Sequence, residues 1–128
     1  MRRVVGSGPI VVVDDDPSTV QVMAALLKSS GYCALTIPLG NSASISRHLL
    51  DLNPALVFLD LTLGHADGRE VARRIREAGG TSYLVACSGW GGAEEVRDAL
   101  AAGFDEHWLK PMEWAHMRSW LDAHVPVR

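Results

Sequence analysis

Residues 9–18 read PIVVVDDDPS: four β-branched apolar residues, Ile10 to Val13, run straight into three carboxylates, Asp14 to Asp16. An apolar run without alternation belongs to a strand covered on both faces, which is the environment of a parallel sheet. Acids at its carboxyl end then stand where open α/β sheets bind ligands. The pattern returns downstream. ALVFLD (55–60) is apolar throughout and closes on Asp60, YLVACS (83–88) closes on a hydroxyl, Ser88, and EHWLK (106–110) closes on an ammonium, Lys110, before Pro111. A shorter run over 33–37 supplies a fifth strand.

Helical patterns separate the runs. Asp16 reads as the cap of a first helix with Pro17 at N1 and an apolar stripe of Val20, Met23, Ala24 and Leu27, closed by Gly31. A second helix spans 42–52 and is expected to bury Ile45, Leu49 and Leu52. A third opens at Asp67, with Glu70 as the partner in a capping box, buries Val71 and Ile75, and stops at Gly79. The loop GWGG (89–92) leads into a fourth helix carrying Val96 and Leu100 and ending at Gly103. The last follows Pro111 and places Trp114, Met117, Trp120 and Leu121 on adjoining positions. Strand and helix in alternation predict an α/β chain: a single-domain, flavodoxin-like (βα)5 three-layer sandwich around a parallel five-stranded sheet of order 2-1-3-4-5. The domain is expected over residues 9–124, with a flexible N-terminal leader at 1–8 and a C-terminal tail at 125–128.

Composition narrows the function classes. At 128 residues, 48% hydrophobic and 21% charged, the chain reads as one soluble globular domain, with a formal charge of −3 and no block of basic residues to suit nucleic acid or an anionic membrane. No apolar run is long enough to span a bilayer or to serve as a secretory signal, so a cytoplasmic location is expected. Cys33 and Cys87 lie far apart, outside any CxxC or Cys/His cluster, and both are expected as buried core thiols.

In strand order 2-1-3-4-5 the first and third strands are neighbours where the order reverses, so Asp14, Asp15 and Asp60 converge. Crowded carboxylates raise one another's pKa unless a cation neutralises them. Mg2+, or Mn2+, suits carboxylate, carbonyl and water oxygens, and two acids with one backbone carbonyl suffice to hold it. Ser88 adds a hydroxyl and Lys110 a charge, a set that suits a phosphoryl group carried on an Asp. Asp60 stands alone on its strand while Asp14 and Asp15 form a pair fitted to metal, so Asp60 is the expected acceptor.

These residues resemble a known family. VVVDDDP, LVFLDLTLGHADG with Asp67-Gly68 seven residues after Asp60, CSG closing the fourth strand and LKP closing the fifth together look like a receiver domain of bacterial two-component response regulators, from Ile10 to Asp122. The resemblance implies that Asp60 takes a phosphoryl group from a sensor histidine kinase or histidine phosphotransfer protein. It implies Mg2+ on Asp15, Asp60 and the Thr62 carbonyl, with Asp14 acting through a bound water. Ser88 and Lys110 would bind the phosphoryl oxygens, Thr62 and Trp90 would modulate the site, and the Lys110–Pro111 bond would be cis. The implied protein is a signalling switch and not an enzyme. Its partners would include a downstream target, or an attached output or kinase domain, reached through the fourth helix, fifth strand and fifth helix.

The chain departs from the family pattern at three places. Gly64 stands where relatives usually have Pro, which predicts a more mobile loop. Gly89 follows Ser88 where Ala is more frequent. His107 occupies the place of the switching aromatic, so a Tyr or Phe rotamer switch does not carry over, and Ser88 and His107 are kept as the two expected switch positions; read on its own, His107 is a half-buried ring. Trp90 is expected to lie over the site and limit water access, and His65 to face solvent. The arginines at 73, 74 and 76 read as the solvated side of the third helix. Two other functions fit less well: a receiver-like interaction module independent of phosphorylation, and a small Mg2+-dependent aspartyl-phosphate phosphatase, whose DxD nucleophile motif is poorly fitted by DDDP followed by Ser18 and Thr19.

Overall fold

The run Ile10–Val13 forms β1, and side-chain alternation splits it between two layers: Ile10 and Val12 face one core, Val11 and Val13 the other. That is why the run needs no polar position. A computed structural model describes Val4 and residues 8–125. In chain order the elements are β1 (Ile10–Val13), α1 (Pro17–Ser29), β2 (Ala34–Thr36), α2 (Ser42–Leu52), β3 (Leu56–Asp60), β4 (Thr62–Leu63), β5 (Ala66–Asp67), α3 (Gly68–Glu77), β6 (Tyr83–Ser88), α4 (Ala93–Ala102), β7 (Glu106–Leu109) and α5 (Trp114–His124). The five-stranded sheet is parallel in the order β2-β1-β3-β6-β7, which is the expected 2-1-3-4-5 once the short β4–β5 hairpin is set aside.

Leu56 and Phe58 of β3 join Ile10 and Val12 against Met23 and Leu27 of α1 and Met117 and Leu121 of α5. Val57 and Leu59 join Val11 and Val13 against Ile45 and Leu49 of α2, Val71 and Ile75 of α3, and Ala99 and Ala102 of α4. Each of the buried Val, Leu, Ile, Met and Phe side chains stabilises the fold by about 1.5–3 kcal/mol, and the two alanines by less. Trp108 of β7 packs partly buried against Phe58 at 5.4 Å and edge-on to Trp120 at 5.1 Å, which ties α5 to the sheet. Among the described residues no helix is long and apolar enough to cross a membrane.

Several expectations are corrected. Leu52 is 37% exposed and Leu100 47%, and α4 buries Ala99 and Ala102 instead, so it turns a small-residue face inward. Cys33 is exposed at the start of a short edge strand, while Cys87 is buried as expected. The capping box at α3 does not form, because Ser42 Oγ accepts the Asp67 N–H at 3.1 Å and Glu70 turns instead to Arg73 and Arg74. Arg76 is not on the solvated side. Its Nε donates to the Gly103 carbonyl at 3.0 Å, its Nη1 to the carbonyls of Gly80 and Ser82 at 3.0 and 2.8 Å, and its Nη2 to Asp105 at 3.0 Å.

Gly64 turns the two-residue tip of the β4–β5 hairpin at φ 67°, a conformation that glycine adopts without strain. Of the expected leader and tail, Val4 and Val125 are buried, whereas residues 1–3, 5–7 and 126–128 lie outside the described residues.

Candidate functional site

β1 and β3 lie side by side and both end in acids, so Asp14 and Asp60 meet at the carboxyl edge of the sheet, 7% and 6% exposed. Asp15 stands beside them in solvent, and the three side chains offer oxygens that all lie within 4.8 Å of one another. β7 delivers Lys110 to the same place. Its Nζ donates to Asp14 Oδ2 at 2.8 Å and to Asp60 Oδ2 at 3.0 Å. The Lys110–Pro111 bond is cis.

Each buried carboxylate splits its oxygens in the same way, one to Lys110 and one to a backbone amide. Asp14 Oδ1 accepts the Asp16 N–H at 2.9 Å, and Asp60 Oδ1 accepts the Thr62 N–H at 3.1 Å. Asp16 keeps out of the cluster, because its side chain caps α1 by accepting from Ser18 N and Thr19 Oγ1. The Thr62 peptide is held beside Asp60 by its pairing with Asp67 in the hairpin, which Ser42 tethers to α2. Gly68 closes the hairpin against β3: a Cβ there would lie 2.8 Å from the Leu61 Cα and closer still to the Asp60 carbonyl oxygen.

Burial raises the Asp60 carboxyl above the usual 3.8, and the opposing bonds from Thr62 and Lys110 do not cancel it. Burial alone would lower the Lys110 ammonium, but hydrogen bonds to Asp14 and Asp60, together with their charges, outweigh it and hold the pKa above 10.5. The two shifts are compatible because one ammonium, 30% exposed, serves two carboxylates and lies nearer to Asp14. Three carboxylates against one ammonium leave two negative charges, the complement of a divalent ion, so the donor set fits Mg2+. Cys87 nearby is inert, its thiol pushed up to about 12 by burial.

Ser88 ends β6 beneath this cluster, 7% exposed. Its Oγ donates to the Trp90 carbonyl at 2.6 Å, accepts the Trp90 N–H at 3.4 Å and lies 2.8 Å from His107 Nε2. That last contact escapes the sequence, although the β6–β7 register, which pairs Ala86 with His107, places the imidazole and Ser88 on one face. Trp90, expected over the site, is 69% exposed with its indole against Gly92, and it is the backbone of this residue that reaches Ser88. His65 is exposed at the hairpin tip, as expected.

Residues 10–122 match the family model described as response regulator receiver domain. The chain is 29% identical over 106 residues, 80% of its length, to the two-component response regulator PprB of Pseudomonas aeruginosa. It is 32% identical over 104 residues, 81% of its length, to the DNA-binding response regulator MtrA of Mycolicibacterium smegmatis. It spans 38% and 44% of those two proteins. Among solved structures it superposes with a TM-score of 0.76 on the receiver domain of the sensor histidine kinase PA1611 from Pseudomonas aeruginosa, solved with a magnesium ion coordinated in its active site cleft. The two are 23% identical, and the match covers 93% of this chain and 97% of that one.

Proposed function

Because this chain belongs to the response regulator receiver domain family, we propose that it is a phosphorylatable switch of a two-component phosphorelay with Asp60 as the phosphoryl acceptor. The observation that carries this is the pair of buried carboxylates at adjoining strand ends, bridged by one ammonium. Asp14 Oδ1 accepts from the Asp16 amide and Asp60 Oδ1 from the Thr62 amide, and Asp60 ends the strand that lies between β1 and β6, with Ser88 at the end of the neighbouring strand. Asp15, Asp60 and the Thr62 carbonyl would hold Mg2+ or Mn2+, with Asp14 reaching it through water. When bound, the ion neutralises charge on the phosphoryl oxygens.

The donor is a phosphohistidine of a sensor kinase or phosphotransfer protein. An Asp60 oxygen attacks phosphorus, the new O–P bond forms as the P–N bond breaks, and the imidazole leaves with the electron pair and takes up a proton. Lys110 turns from the carboxylates toward the incoming oxygens, and the Ser88 hydroxyl donates a hydrogen bond to one of them. The product is an acyl phosphate on Asp60, which biases the loops toward a second arrangement and so signals to a downstream target or an attached output or kinase domain. The protein turns over no other substrate, binds neither nucleic acid nor membrane directly, and works in the cytoplasm.

Incubation with Mg2+ and acetyl phosphate tests this. Intact mass should rise by one phosphoryl group, and Asp60→Asn should abolish the gain. A folded protein that gains nothing favours a phosphorylation-independent interaction module, and sustained release of phosphate from an added ester favours a phosphatase.

A further inference from the structure

We propose that His107 is a positioning residue for phosphoryl transfer, donating from Nε2 to Ser88 Oγ so that the serine oxygen stays fixed while its hydroxyl hydrogen bond is redirected to the phosphoryl group. The inference rests on the reading of Asp60 as acceptor and deepens it. A serine hydroxyl has one hydrogen and two lone pairs. The Trp90 carbonyl is an acceptor only, so at 2.6 Å it takes that hydrogen. The Trp90 N–H fills one lone pair at 3.4 Å. What remains for His107 Nε2, 2.8 Å away, is the other lone pair, so the imidazole carries its hydrogen on Nε2 and donates.

Ser88 is therefore saturated, and it serves a phosphoryl oxygen only by withdrawing its hydrogen from the Trp90 carbonyl. The donation from His107 does not compete with that exchange. It fills a lone pair in both arrangements, and a hydroxyl that accepts a hydrogen bond is polarised into a stronger donor. The sheet register supports the role: His107 lies on β7 opposite Ala86, two residues before Ser88 on the same strand face, so the ring is placed by backbone pairing and not by a mobile loop. A Phe or Tyr ring has no nitrogen to offer at this position, which makes the device a property of this chain and not of an aromatic rotamer.

The test is the rate constant of phosphorylation by acetyl phosphate with Mg2+. His107→Leu should lower it about fivefold, the worth of one neutral hydrogen bond. His107→Gln, which places an amide N–H near the same point, should stay within about twofold of the parent. In a Ser88→Ala background His107→Leu should cost nothing more, because the two act as one unit. Long-range 1H–15N spectra of the unphosphorylated protein should show His107 protonated at Nε2. Equal rates for parent and His107→Leu, a full loss retained in the Ser88→Ala background, or a ring protonated only at Nδ1 each overturns the proposal while leaving the receiver function standing. A parent protein that takes no phosphoryl group removes the acceptor reading, and the role of His107 with it.

Discussion

Replacing Lys110 by Met removes one charge and keeps most of the apolar stem, so it isolates what the ammonium does for the two acids. Their side chains are 6% and 8% exposed and each gives one oxygen to Nζ, at 2.8 and 3.0 Å. Removing one partner of a buried ion pair costs about 3–5 kcal/mol, because the remaining charge is left without compensation. Two stranded carboxylates push the cost up. The 30% exposure of Lys110 pulls it down, since water reaches the mouth of the site. The expected loss is about 2–3 kcal/mol, or about 8–12 °C in Tm for a chain of this size. Urea and thermal unfolding of metal-free protein at neutral pH measure it. The deficit should shrink in acid as the carboxylates are protonated, shrink again when Asp60→Asn is added, and shrink on adding Mg2+ more than the parent gains. A Lys110→Met protein within about 0.5 kcal/mol of the parent at neutral pH, or equally destabilised in acid, refutes the reasoning.

Three further outcomes follow from the same geometry. Asp60 has a raised pKa in the folded state, so the folded form holds the proton more tightly and stability falls as pH rises from 3.8 through the folded value; Asp60→Asn, which keeps an oxygen for the Thr62 amide, should stabilise the metal-free protein at neutral pH and lose that advantage in acid, and a destabilised variant at neutral pH would contradict this. Arg76→Met removes four hydrogen bonds to groups just before β6 and β7, at the sheet edge opposite the acids, and should cost about 3 kcal/mol in urea unfolding while leaving the phosphorylation rate in the cold unchanged; a cost below about 1 kcal/mol would reduce Arg76 to a surface residue. Gly68→Ala forces a methyl against the backbone of Asp60 and Leu61 and should cost about 2–3 kcal/mol in the same assay, with slower phosphorylation if Asp60 is the acceptor, because the end of β3 must shift.

The sheet and the acid cluster were readable because a strand buried on both faces announces itself as an unbroken apolar run, and the residue that ends the run is the one delivered to the site. Asp14, Asp60, Ser88 and Lys110 are all run-ending residues, and the parallel sheet brings them to one edge. What escaped depended on partners distant in sequence or on residues with weak patterns. The inner face of α4 is made by Ala99 and Ala102, which a hydrophobic stripe does not distinguish from Leu100. Arg76 has the same residue type on the same helix as Arg73 and Arg74, and the carbonyls that set it apart belong to turns before two later strands. Glu70 had the spacing of a capping box, but Ser42, 25 residues away, already occupied the amide. The bond between His107 and Ser88 needed the register of β6 on β7, and residue types alone do not set register.

Lys110 and Ser88 already have partners in the resting site, and that shapes how a phosphoryl group can act. It brings about 1.5–2 negative charges and three acceptor oxygens, yet Lys110 is already shared by Asp14 and Asp60, and Ser88 already gives its hydrogen to the Trp90 carbonyl. New bonds are therefore exchanges, and the driving force is the difference between what phosphate accepts and what Asp14 and Trp90 give up. The loss at Trp90 carries outward, because its carbonyl belongs to the 89–92 loop that leads into α4. Three of the four residues in that loop are glycines, and nothing lies within 4 Å of where a Gly89 Cβ would stand, so the rearranged backbone meets little steric resistance. Flexibility also favours arrangements other than the resting one, since glycines lose the most freedom on being ordered. On the proposed function, a modest exchange energy acting on this glycine-rich loop would carry it to a second arrangement, with His107 keeping the serine oxygen at its post in both.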